Sequence, residues 1–320
     1  MAGVYVHIPF CKSRCIYCDF YSTTCGPTVQ QAFVSALCNE MRKRKSEALL
    51  SSIYIGGGTP SVLAAGSLTT IFDTINECWQ LELGAEVTLE ANPDDITASY
   101  AKALASLPVN RVSMGVQTFH NESLRFLNRR HTAQQVPKAI DRLMAMGIDN
   151  ISIDLIYGLP HQSLNDWQKD LDATFALPVS HISAYALIYE NGTPLQRMRE
   201  EGQVQEADEE LSLRMYEMLI DHAASNGFVH YEISNFALPG REARHNSGYW
   251  HGMHYLGLGP AAHSYNGHSR QWNSPDLMAY IRANGDTQGY NLATTEVLTE
   301  QMQQEEMLLT RLRTAAGLDL

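Results

Sequence analysis

Val4-Tyr5-Val6-His7-Ile8 is followed almost at once by Cys11-Lys12-Ser13-Arg14-Cys15-Ile16-Tyr17-Cys18-Asp19-Phe20, and the rest of the chain is organised around these two stretches. The first is a β-rich run, and the second places three thiols on one short loop in the spacing CxxxCxxC. Sulfur ligands select iron–sulfur clusters, zinc or copper(I). A structural zinc site is closed by four protein ligands, whereas a 4Fe–4S cluster can accept three and leave one iron open. The loop therefore predicts a metal centre.

The spacing favours a 4Fe–4S cluster held by Cys11, Cys15 and Cys18 over a zinc ion. Zinc would need a fourth ligand, for which Cys25 and the nearby His7 are the candidates. Zinc sites commonly combine two CxxC elements, and this chain has no second pair.

Composition limits the function classes. The chain has 320 residues, of which 44% are hydrophobic and 18% charged, which predicts one barrel-sized domain with an appendage. The net charge of −12 argues against a nucleic-acid partner. No apolar run has transmembrane length and the start lacks the plan of a signal peptide, so we expect a cytoplasmic protein with reduced thiols. Cys38 and Cys78 fall on apolar helical faces and are expected to be buried and inert.

Short β-rich runs alternate with helical patterns from residue 4 to about residue 187. The runs are Val4–Ile8, Ile53–Ile55, Val87–Leu89, Arg111–Val116, Ile151–Ile156 and His181–Tyr185. Six β–α repeats predict an α/β fold with parallel strands, either a partial (β/α)6 barrel of the TIM type or, alternatively, a doubly wound sheet.

Local signals place several helices. Thr132–Gln135 and Ser163–Asp166 have the form of capping boxes that open amphipathic helices. A long helix is predicted over residues 206–226 and a last one over about 300–313. The basic run Arg42–Lys45 is expected to be a solvated helix end, where cations suit the helix dipole.

Polar residues recur where the predicted strands end. Gly56-Gly57-Gly58-Thr59-Pro60 follows the second strand, Glu90 closes the third, Gln117 follows the fourth and Asp154 lies late in the fifth. The carboxyl ends of the strands form the functional face of a parallel barrel, which favours the barrel over the doubly wound sheet.

The alternation of β-rich runs and helical patterns ends near residue 190. We expect residues 1–235 to form the barrel and residues 236–320 to form a smaller α-rich region. This second region contains His245-Asn246-Ser247-Gly248-Tyr249-Trp250 and the beginning of a C-terminal helical domain, which is only partly present.

Several motifs together resemble the radical S-adenosylmethionine (SAM) superfamily, in particular its coproporphyrinogen-dehydrogenase-like branch. Tyr5–Cys11 leads into CxxxCxxC as it does in that branch. Further motifs follow in the same order: GGGTPS at 56–61, LEANPDD at 89–95, RVSMGVQTF at 111–119 and SIDLIYGLPHQ at 152–162.

The resemblance implies two cofactors, a 4Fe–4S cluster on the three loop cysteines and SAM on the open iron. One electron from the cluster would then break a sulfur–carbon bond of SAM and give a 5′-deoxyadenosyl radical. The implied SAM contacts are Tyr5, Tyr17, Gly57, Gly58, Thr59, Glu90, Gln117, Arg129 and Asp154.

The resemblance also assigns roles to some of these residues. Tyr17 would pack near the adenine, and the glycine turn would meet the amino group of the methionine part. Arg129 would pair with its carboxylate and Asp154 would accept from ribose hydroxyls. The choice of Arg129 over the adjacent Arg130 rests on the resemblance alone.

HNxxYW at 245–250, followed by YLGLGPAAHSY at 255–265, resembles the haem-chaperone members of the branch. The resemblance implies haem as cargo, contacted by His245 and Tyr249, and delivery to haem-accepting proteins such as respiratory enzymes. Histidine is a common axial ligand of haem. The alternative is that His245 and Tyr249 only pin their loop against the barrel by hydrogen bonds.

Two departures weigh against coproporphyrinogen dehydrogenase activity. That enzyme has a further cysteine, CxxxCxxCxC, where this chain has Phe20, and it carries an N-terminal extension. Three hypotheses follow: a haem chaperone that keeps a radical SAM cluster, an oxygen-independent coproporphyrinogen dehydrogenase, and a radical SAM methyltransferase. Whether the chain is an enzyme stays open at this point.

Overall fold

The structure is a computed structural model and describes residues 2–285 and 293–318. Within them the strands are β1 (Ala2–Ile8), β2 (Leu49–Gly57), β3 (Gln80–Ala91), β4 (Arg111–Gln117), β5 (Asn150–Tyr157), β6 (His181–Ala186), β7 (Val229–Glu232), β8 (Asn235–Ala237), β9 (His254–Leu258), β10 (His263–Tyr265), β11 (Ser269–Asn273) and β12 (Ala293–Val297). The α-helices are α1 (Pro27–Lys43), α2 (Ala65–Cys78), α3 (Ala98–Leu104), α4 (Asn121–Phe126), α5 (Gln135–Ala145), α6 (Leu164–Phe175), α7 (Pro194–Glu200), α8 (Glu209–Ser225), α9 (Arg244–Trp250), α10 (Leu277–Ala283) and α11 (Glu300–Arg311).

The described strands form one sheet in the order β12-β11-β10-β9-β1-β2-β3-β4-β5-β6-β8-β7. Strands β1 to β6 are parallel and follow one another in chain order, which confirms the parallel α/β core predicted from the alternating pattern. All six predicted runs lie within these strands. Strand β9 adds to the free edge of β1 as a further parallel strand, and antiparallel strands flank both ends.

The two faces of the parallel strands differ in polarity. Apolar side chains on one face pack against the helices in one continuous core. The other face is polar, although most of its side chains are buried. Because side chains alternate along a strand, one face of each strand can serve the core while the other lines the barrel interior. Polar residues that the interior buries are Ser52, Glu86, Arg111, Ser113, His181 and Ser183.

The predicted helices are present near their expected positions, but only one of the two predicted capping boxes is complete. Ser163 and Asp166 form the complete capping box of α6. At α5 only half of the predicted box is present, because the Gln135 side chain accepts from the Thr132 N–H at 2.8 Å but the helix cap itself has no side-chain bond. The long helix α8 starts at Glu209, three residues later than predicted, with Asp208 as its N-cap.

The prediction that the basic run at the end of α1 is solvated is wrong for Arg44. Arg42 pairs with Glu77 on the surface, but Arg44 turns inward. Its guanidinium donates to the Gly257 carbonyl at 3.1 Å and to the Gln271 side chain at 2.9 Å. The prediction missed this because strands β9 and β11 come from the far end of the chain.

The region from residue 236 onward is mixed rather than purely α-rich. It contains α9, α10 and α11, and four of its strands, β9 to β12, extend the sheet beyond β1. The boundary at residue 235 stays a prediction, and residues 286–292 and 319–320 of the predicted region lie outside the described residues.

One buried carboxylate ties α1 to this region. Glu40 accepts from the Gly259 N–H at 2.9 Å, from the Asn273 side chain at 2.9 Å and from the Tyr280 hydroxyl at 2.6 Å. A carboxylate without such partners would be costly to bury, so these bonds fix β9, β11 and α10 against α1.

Candidate functional site

A cavity of about 430 Å³ opens at the carboxyl ends of the parallel strands, and we call it the cysteine-loop cavity. It is lined by the segments that follow β1, β2, β3, β4 and β6, and by side chains of β5 itself. Eleven of the predicted cluster and SAM residues line it: Cys11, Cys15, Cys18, Tyr17, Gly57, Gly58, Thr59, Glu90, Gln117, Arg129 and Asp154. The structure therefore brings together residues that are spread over more than 140 positions of sequence.

Charged residues hold the cysteine loop in place. Lys12, inside the CxxxCxxC spacing, donates to Asp95 at 2.7 Å. Asp95 also accepts from Arg130 at 2.9 Å and from the Ser61 hydroxyl at 2.9 Å. Its side chain is only 2% exposed, so its bonds are sheltered from water. Arg130, which the sequence could not separate from Arg129, is thus a structural partner of the loop.

The three thiols meet different neighbours. Cys11 lies 3.5 Å from the Thr59 hydroxyl, and Arg129 donates to the Cys15 sulfur at 3.5 Å. Burial raises the pKa of the Cys18 thiol to about 11. A thiol with a raised pKa stays protonated unless a cation stabilises the thiolate, which is what iron or another metal does.

Neither of the two candidates for a fourth zinc ligand lines the cavity. His7 is buried, and its ring nitrogens bond to the Tyr5 hydroxyl and to the Tyr21 carbonyl. Cys25 is outside the cavity lining, with its sulfur 3.5 Å from the Thr23 hydroxyl. In residues 2–285 and 293–318, no three His, Cys, Asp or Glu side chains are grouped so that they could hold a single metal ion.

The glycine turn after β2 is shaped by close backbone packing. A side chain at Gly58 would place its Cβ 2.7 Å from the Phe10 carbonyl oxygen, and Gly57 has φ +113. The N–H groups of Gly57, Gly58 and Thr59 are all bonded within the protein. An amino group is a hydrogen-bond donor, so the acceptors that this turn offers it are its carbonyl oxygens and the Thr59 hydroxyl.

Two acidic residues stand inside the barrel mouth. Glu90 accepts from the Tyr54 hydroxyl at 2.7 Å and from the Gly57 N–H at 3.1 Å. Burial raises the pKa of Glu90 to about 7 and also raises the pKa of Asp154, which accepts from Ser113 at 3.2 Å. A nearby positive charge or a hydrogen-bond donor would favour the ionised form of both.

Arg129 and Gln117, whose backbone is strained, both line the cavity. One terminal nitrogen donates to the Asn92 side chain at 2.6 Å and to the Gly115 carbonyl, and its buried Nε has no partner in the described structure. Gln117, at the end of β4, has φ +69, a conformation that a residue other than glycine rarely adopts. Such strain is found at ligand sites, and an unpaired buried donor fits an acceptor supplied by a ligand.

Three predicted site residues lie outside this cavity. Tyr5 is one layer deeper, with its hydroxyl 3.0 Å from His7. His245 and Tyr249 lie on α9, which packs against β2. The His245 ring bonds to the Ser52 hydroxyl at 2.9 Å and to the Tyr249 hydroxyl at 2.8 Å.

His245 is thus held as a neutral ring. It is fully buried, and burial lowers its pKa to about 3. Both ring nitrogens are engaged, so binding of haem iron by His245 would require one of the two hydrogen bonds to break. The arrangement has the form of the hydrogen-bonded alternative considered from the sequence.

Sequence reasoning missed several residues of the cavity. Asn92 and Asn246 lie inside motifs whose other members were chosen, and both line the cavity. Tyr185 and Ile188 form an exposed apolar lip at its mouth, next to Phe20, which the sequence had singled out only as a replaced cysteine. No sequence signal distinguished Tyr185 and Ile188 from ordinary core residues.

Comparison with known proteins agrees with this geometry. The model of the radical SAM superfamily matches residues 5–174. The heme chaperone HemW of Lactococcus lactis is 39% identical over 98% of this chain and 82% of its own length. HemW of Bacillus subtilis is 35% identical over 98% of this chain and 84% of its own length. The chain belongs to the radical SAM superfamily and to its HemW family.

The fold of this HemW family member is also similar to a solved structure. Coproporphyrinogen III oxidase HemN from Escherichia coli superposes with a TM-score of 0.84 over 98% of this chain and 75% of that chain, at 22% identity. This likeness concerns the fold alone. Membership of the radical SAM superfamily implies a 4Fe–4S cluster and SAM as cofactors. In the described residues no helix is both long and apolar enough to cross a membrane.

Proposed function

We propose that this chain is a cytoplasmic haem chaperone that keeps a radical SAM cofactor site and delivers haem to acceptor proteins such as respiratory enzymes. The observation that carries the proposal is the identity of 39% and 35% to two heme chaperones over more than four fifths of their length. Phe20, where the dehydrogenase branch has a cysteine, is compatible with this function.

Cys11, Cys15 and Cys18 are the proposed cluster ligands, since all three line one cavity. When bound, the cluster supplies an electron and an open coordination position for SAM. The chain's own residues then orient SAM. Arg129 offers a buried cation with an unused donor for the methionine carboxylate.

The remaining proposed SAM contacts surround these groups. The carbonyl oxygens of the glycine turn suit the amino group, and Glu90 adds a carboxylate next to the turn. Asp154, on β5, is the proposed hydrogen-bond acceptor for the ribose hydroxyls. Tyr17, between two of the cysteines in sequence, provides an aromatic ring against which the adenine packs. Gln117, with its strained backbone, also faces the cofactor.

Haem titration of anaerobically reconstituted protein tests the function. We expect a Soret band at stoichiometric haem, transfer of haem to an apo-acceptor, and neither decarboxylated coproporphyrinogen nor a methylated product. Haem binding no stronger than to an unrelated protein would refute the chaperone function, and turnover of coproporphyrinogen would replace it by the dehydrogenase.

The ligand set is tested separately. Single Cys→Ser variants of Cys11, Cys15 and Cys18 are expected to lose most cluster iron after reconstitution. Cys25→Ser and Cys38→Ser are the matched controls, because Cys25 is outside the cavity lining and Cys38 is buried on α1, and both should keep it. Iron and acid-labile sulfide per chain give the result. Normal iron in any loop variant would remove that cysteine from the set.

A further inference from the structure

Arg111 is a fully buried cation in the interior of the barrel. It is the first residue of β4 and is only 1% exposed. The residues that alternate with it along β4 belong to the apolar core, so Arg111 and Ser113 lie on the interior face of the strand. Ser113 lines the cysteine-loop cavity and Arg111 does not. Arg111 is therefore placed one interior position beneath the cavity.

The positive charge of Arg111 is not used in an ion pair. In the part of the chain that the structure describes, its guanidinium makes neither a hydrogen bond nor a salt bridge, and its buried Nε has no partner. Arg130 and Arg44, by contrast, are each bonded to several protein groups. A buried charge without bonded partners is costly to the fold. Pairing that braces the barrel therefore does not account for this arginine.

Two carboxylates on the neighbouring strands interact with this cation. Glu90 on β3 is in register with Ser113, and Asp154 on β5 accepts from the Ser113 hydroxyl at 3.2 Å. Burial raises the pKa of Glu90 to about 7 and also raises the pKa of Asp154, and the positive charge of Arg111 opposes both shifts. The cation thus favours the ionised form of both groups.

Most other titratable groups around Glu90 and Arg111 are uncharged. Burial raises the pKa of the tyrosines among them and lowers the pKa of the histidines, so that they are neutral near pH 7. From β1, β2, β6, β7 and α9 these groups are Tyr5, Tyr54, His181, Tyr185, Tyr231, His245 and Tyr249.

The other charged groups of this region have bonded partners. Glu86 and Glu232 both accept hydrogen bonds from protein donors. Arg129 acts on Asp154 as well, but it is bonded to three protein groups. Among the described residues, Arg111 thus combines an effect on both SAM-site carboxylates with a side chain that is bonded to neither.

We propose that Arg111 is a positioning residue of the SAM site, whose fixed charge keeps Glu90 and Asp154 ionised as acceptors for the amino group and the ribose hydroxyls. This inference rests on the proposed cofactor site and adds to it a residue beneath the cavity. Without Arg111, both buried carboxylates would hold protons over a larger part of the neutral pH range. A protonated carboxyl offers a weaker acceptor to a cofactor that carries a positive sulfonium.

Urea unfolding of the cofactor-free protein tests the electrostatic role without cluster or SAM. In the wild-type background, the gain in stability from Glu90→Gln should grow with pH and level off near pH 7, where Glu90 is ionised. In an Arg111→Met background the same gain should level off about one pH unit higher, since an opposite charge lowers a carboxyl pKa by at least that amount. Arg111→Lys keeps the charge and should level off as wild type does.

Arg111→Gln is a second neutral variant for the same comparison. Neither neutral replacement removes a hydrogen bond from the described structure, so we expect both variants to fold. Failure of both to fold would show a structural role and overturn the proposal. A plateau at an unchanged pH in both would also overturn it.

Equilibrium binding of SAM to the anaerobically reconstituted protein gives the second readout. Near pH 7, Arg111→Met should bind SAM roughly fivefold to tenfold more weakly than wild type, because one pKa unit changes the ionised fraction by up to a factor of ten. The difference should disappear as the pH rises, and Arg111→Lys should follow wild type. Arg214→Met is the matched control, because it removes an exposed cation from α8. It should leave the profile unchanged.

The amino group of SAM titrates alike for every variant, so the difference between variants carries the result. An equal loss of SAM affinity at every pH in Arg111→Met would indicate a structural role and overturn the proposal. Normal SAM binding by wild type together with a profile unchanged in both neutral variants would overturn the role of Arg111 alone. No SAM binding by wild type would overturn the proposed cofactor site and, with it, this role.

Discussion

The Nζ of Lys12 lies 2.7 Å from the Oδ1 of Asp95, so the first turn of the cysteine loop is bonded to the segment that follows β3. Asp95 is nearly fully buried, whereas about half of the Lys12 side chain is exposed. Removal of Asp95 should therefore lower the free energy of unfolding more than removal of Lys12.

Asp95→Ala is expected to lower the free energy of unfolding by about 2 kcal/mol, because Lys12, Arg130 and Ser61 all lose a charged acceptor. It should also reduce the iron retained after reconstitution. Lys12→Met, which removes the exposed partner, should cost at most about 1 kcal/mol. Denaturant unfolding and iron analysis measure both effects. Equal losses in the two variants would contradict the central role of Asp95.

Gly115→Ala is expected to weaken SAM binding without unfolding the protein. The added Cβ would lie 2.9 Å from Nη2 of Arg129 and 2.9 Å from Nε2 of Gln117, and both side chains would have to shift. Loss of one charge-assisted bond corresponds to roughly a tenfold to hundredfold weaker affinity. Equilibrium binding of SAM to the reconstituted protein gives the value.

Gly66→Ala is the matched control for that substitution. Gly66 lies in the first turn of α2, and a Cβ there would meet no atom within 4 Å. This variant should bind SAM normally and be more stable by about 0.5 kcal/mol, because alanine favours the helix. SAM affinity that falls equally in both variants would show that the Arg129 contact is not the cause.

Glu90 should make the stability of the cofactor-free protein depend on pH. Its pKa in the folded state is about 7, above the ordinary value of 4.5, so the folded state holds a proton that the unfolded state releases. Its contribution to stability is therefore greatest below pH 4.5, is lost as the pH rises to about 7, and is constant above that value.

Glu90→Gln removes this dependence. The stability of the variant relative to wild type should rise between pH 5 and pH 7, by at most about 1.4 kcal/mol for each pH unit. Urea unfolding at several pH values, under reducing conditions, measures the difference. A constant difference across this interval would mean that Glu90 titrates normally.

His245→Ala is expected to cost about 3 kcal/mol of unfolding free energy, because it leaves a cavity and removes the bonds to Ser52 and Tyr249. Tyr249→Phe keeps the ring packing and should cost only about 1 kcal/mol. Both are measured by denaturant unfolding of the cofactor-free protein. An unchanged midpoint for His245→Ala would argue that His245 serves a ligand rather than the fold.

The sequence was most informative where the interacting residues are close in sequence or where several motif residues follow successive strands. The six parallel strands follow from alternation of short apolar runs and helices, and the cysteine-loop cavity follows from polar residues placed after those strands. Ser163–Asp166 was readable as a capping box because both of its bonds are made within four residues.

Contacts between distant segments could not be predicted. The inward turn of Arg44 depends on β9 and β11, which lie more than 200 residues later in the chain. His245 was expected to contact haem because its motif resembles that of the haem chaperones, but the sequence could not show that it is fully buried and bonded to Ser52, which lies 193 residues earlier in the chain.

The pairing of β1 with β9 has a consequence for synthesis of the protein. Ala2–Val6 of β1 align with His254–Leu258 of β9, so one edge of β1 is completed by a strand that is synthesised about 250 residues later. Until those residues leave the ribosome, the nascent sheet has an open edge beside the cysteine loop. Such an edge invites wrong pairing with other chains, and cluster insertion before release would meet a barrel that has not yet closed on that side.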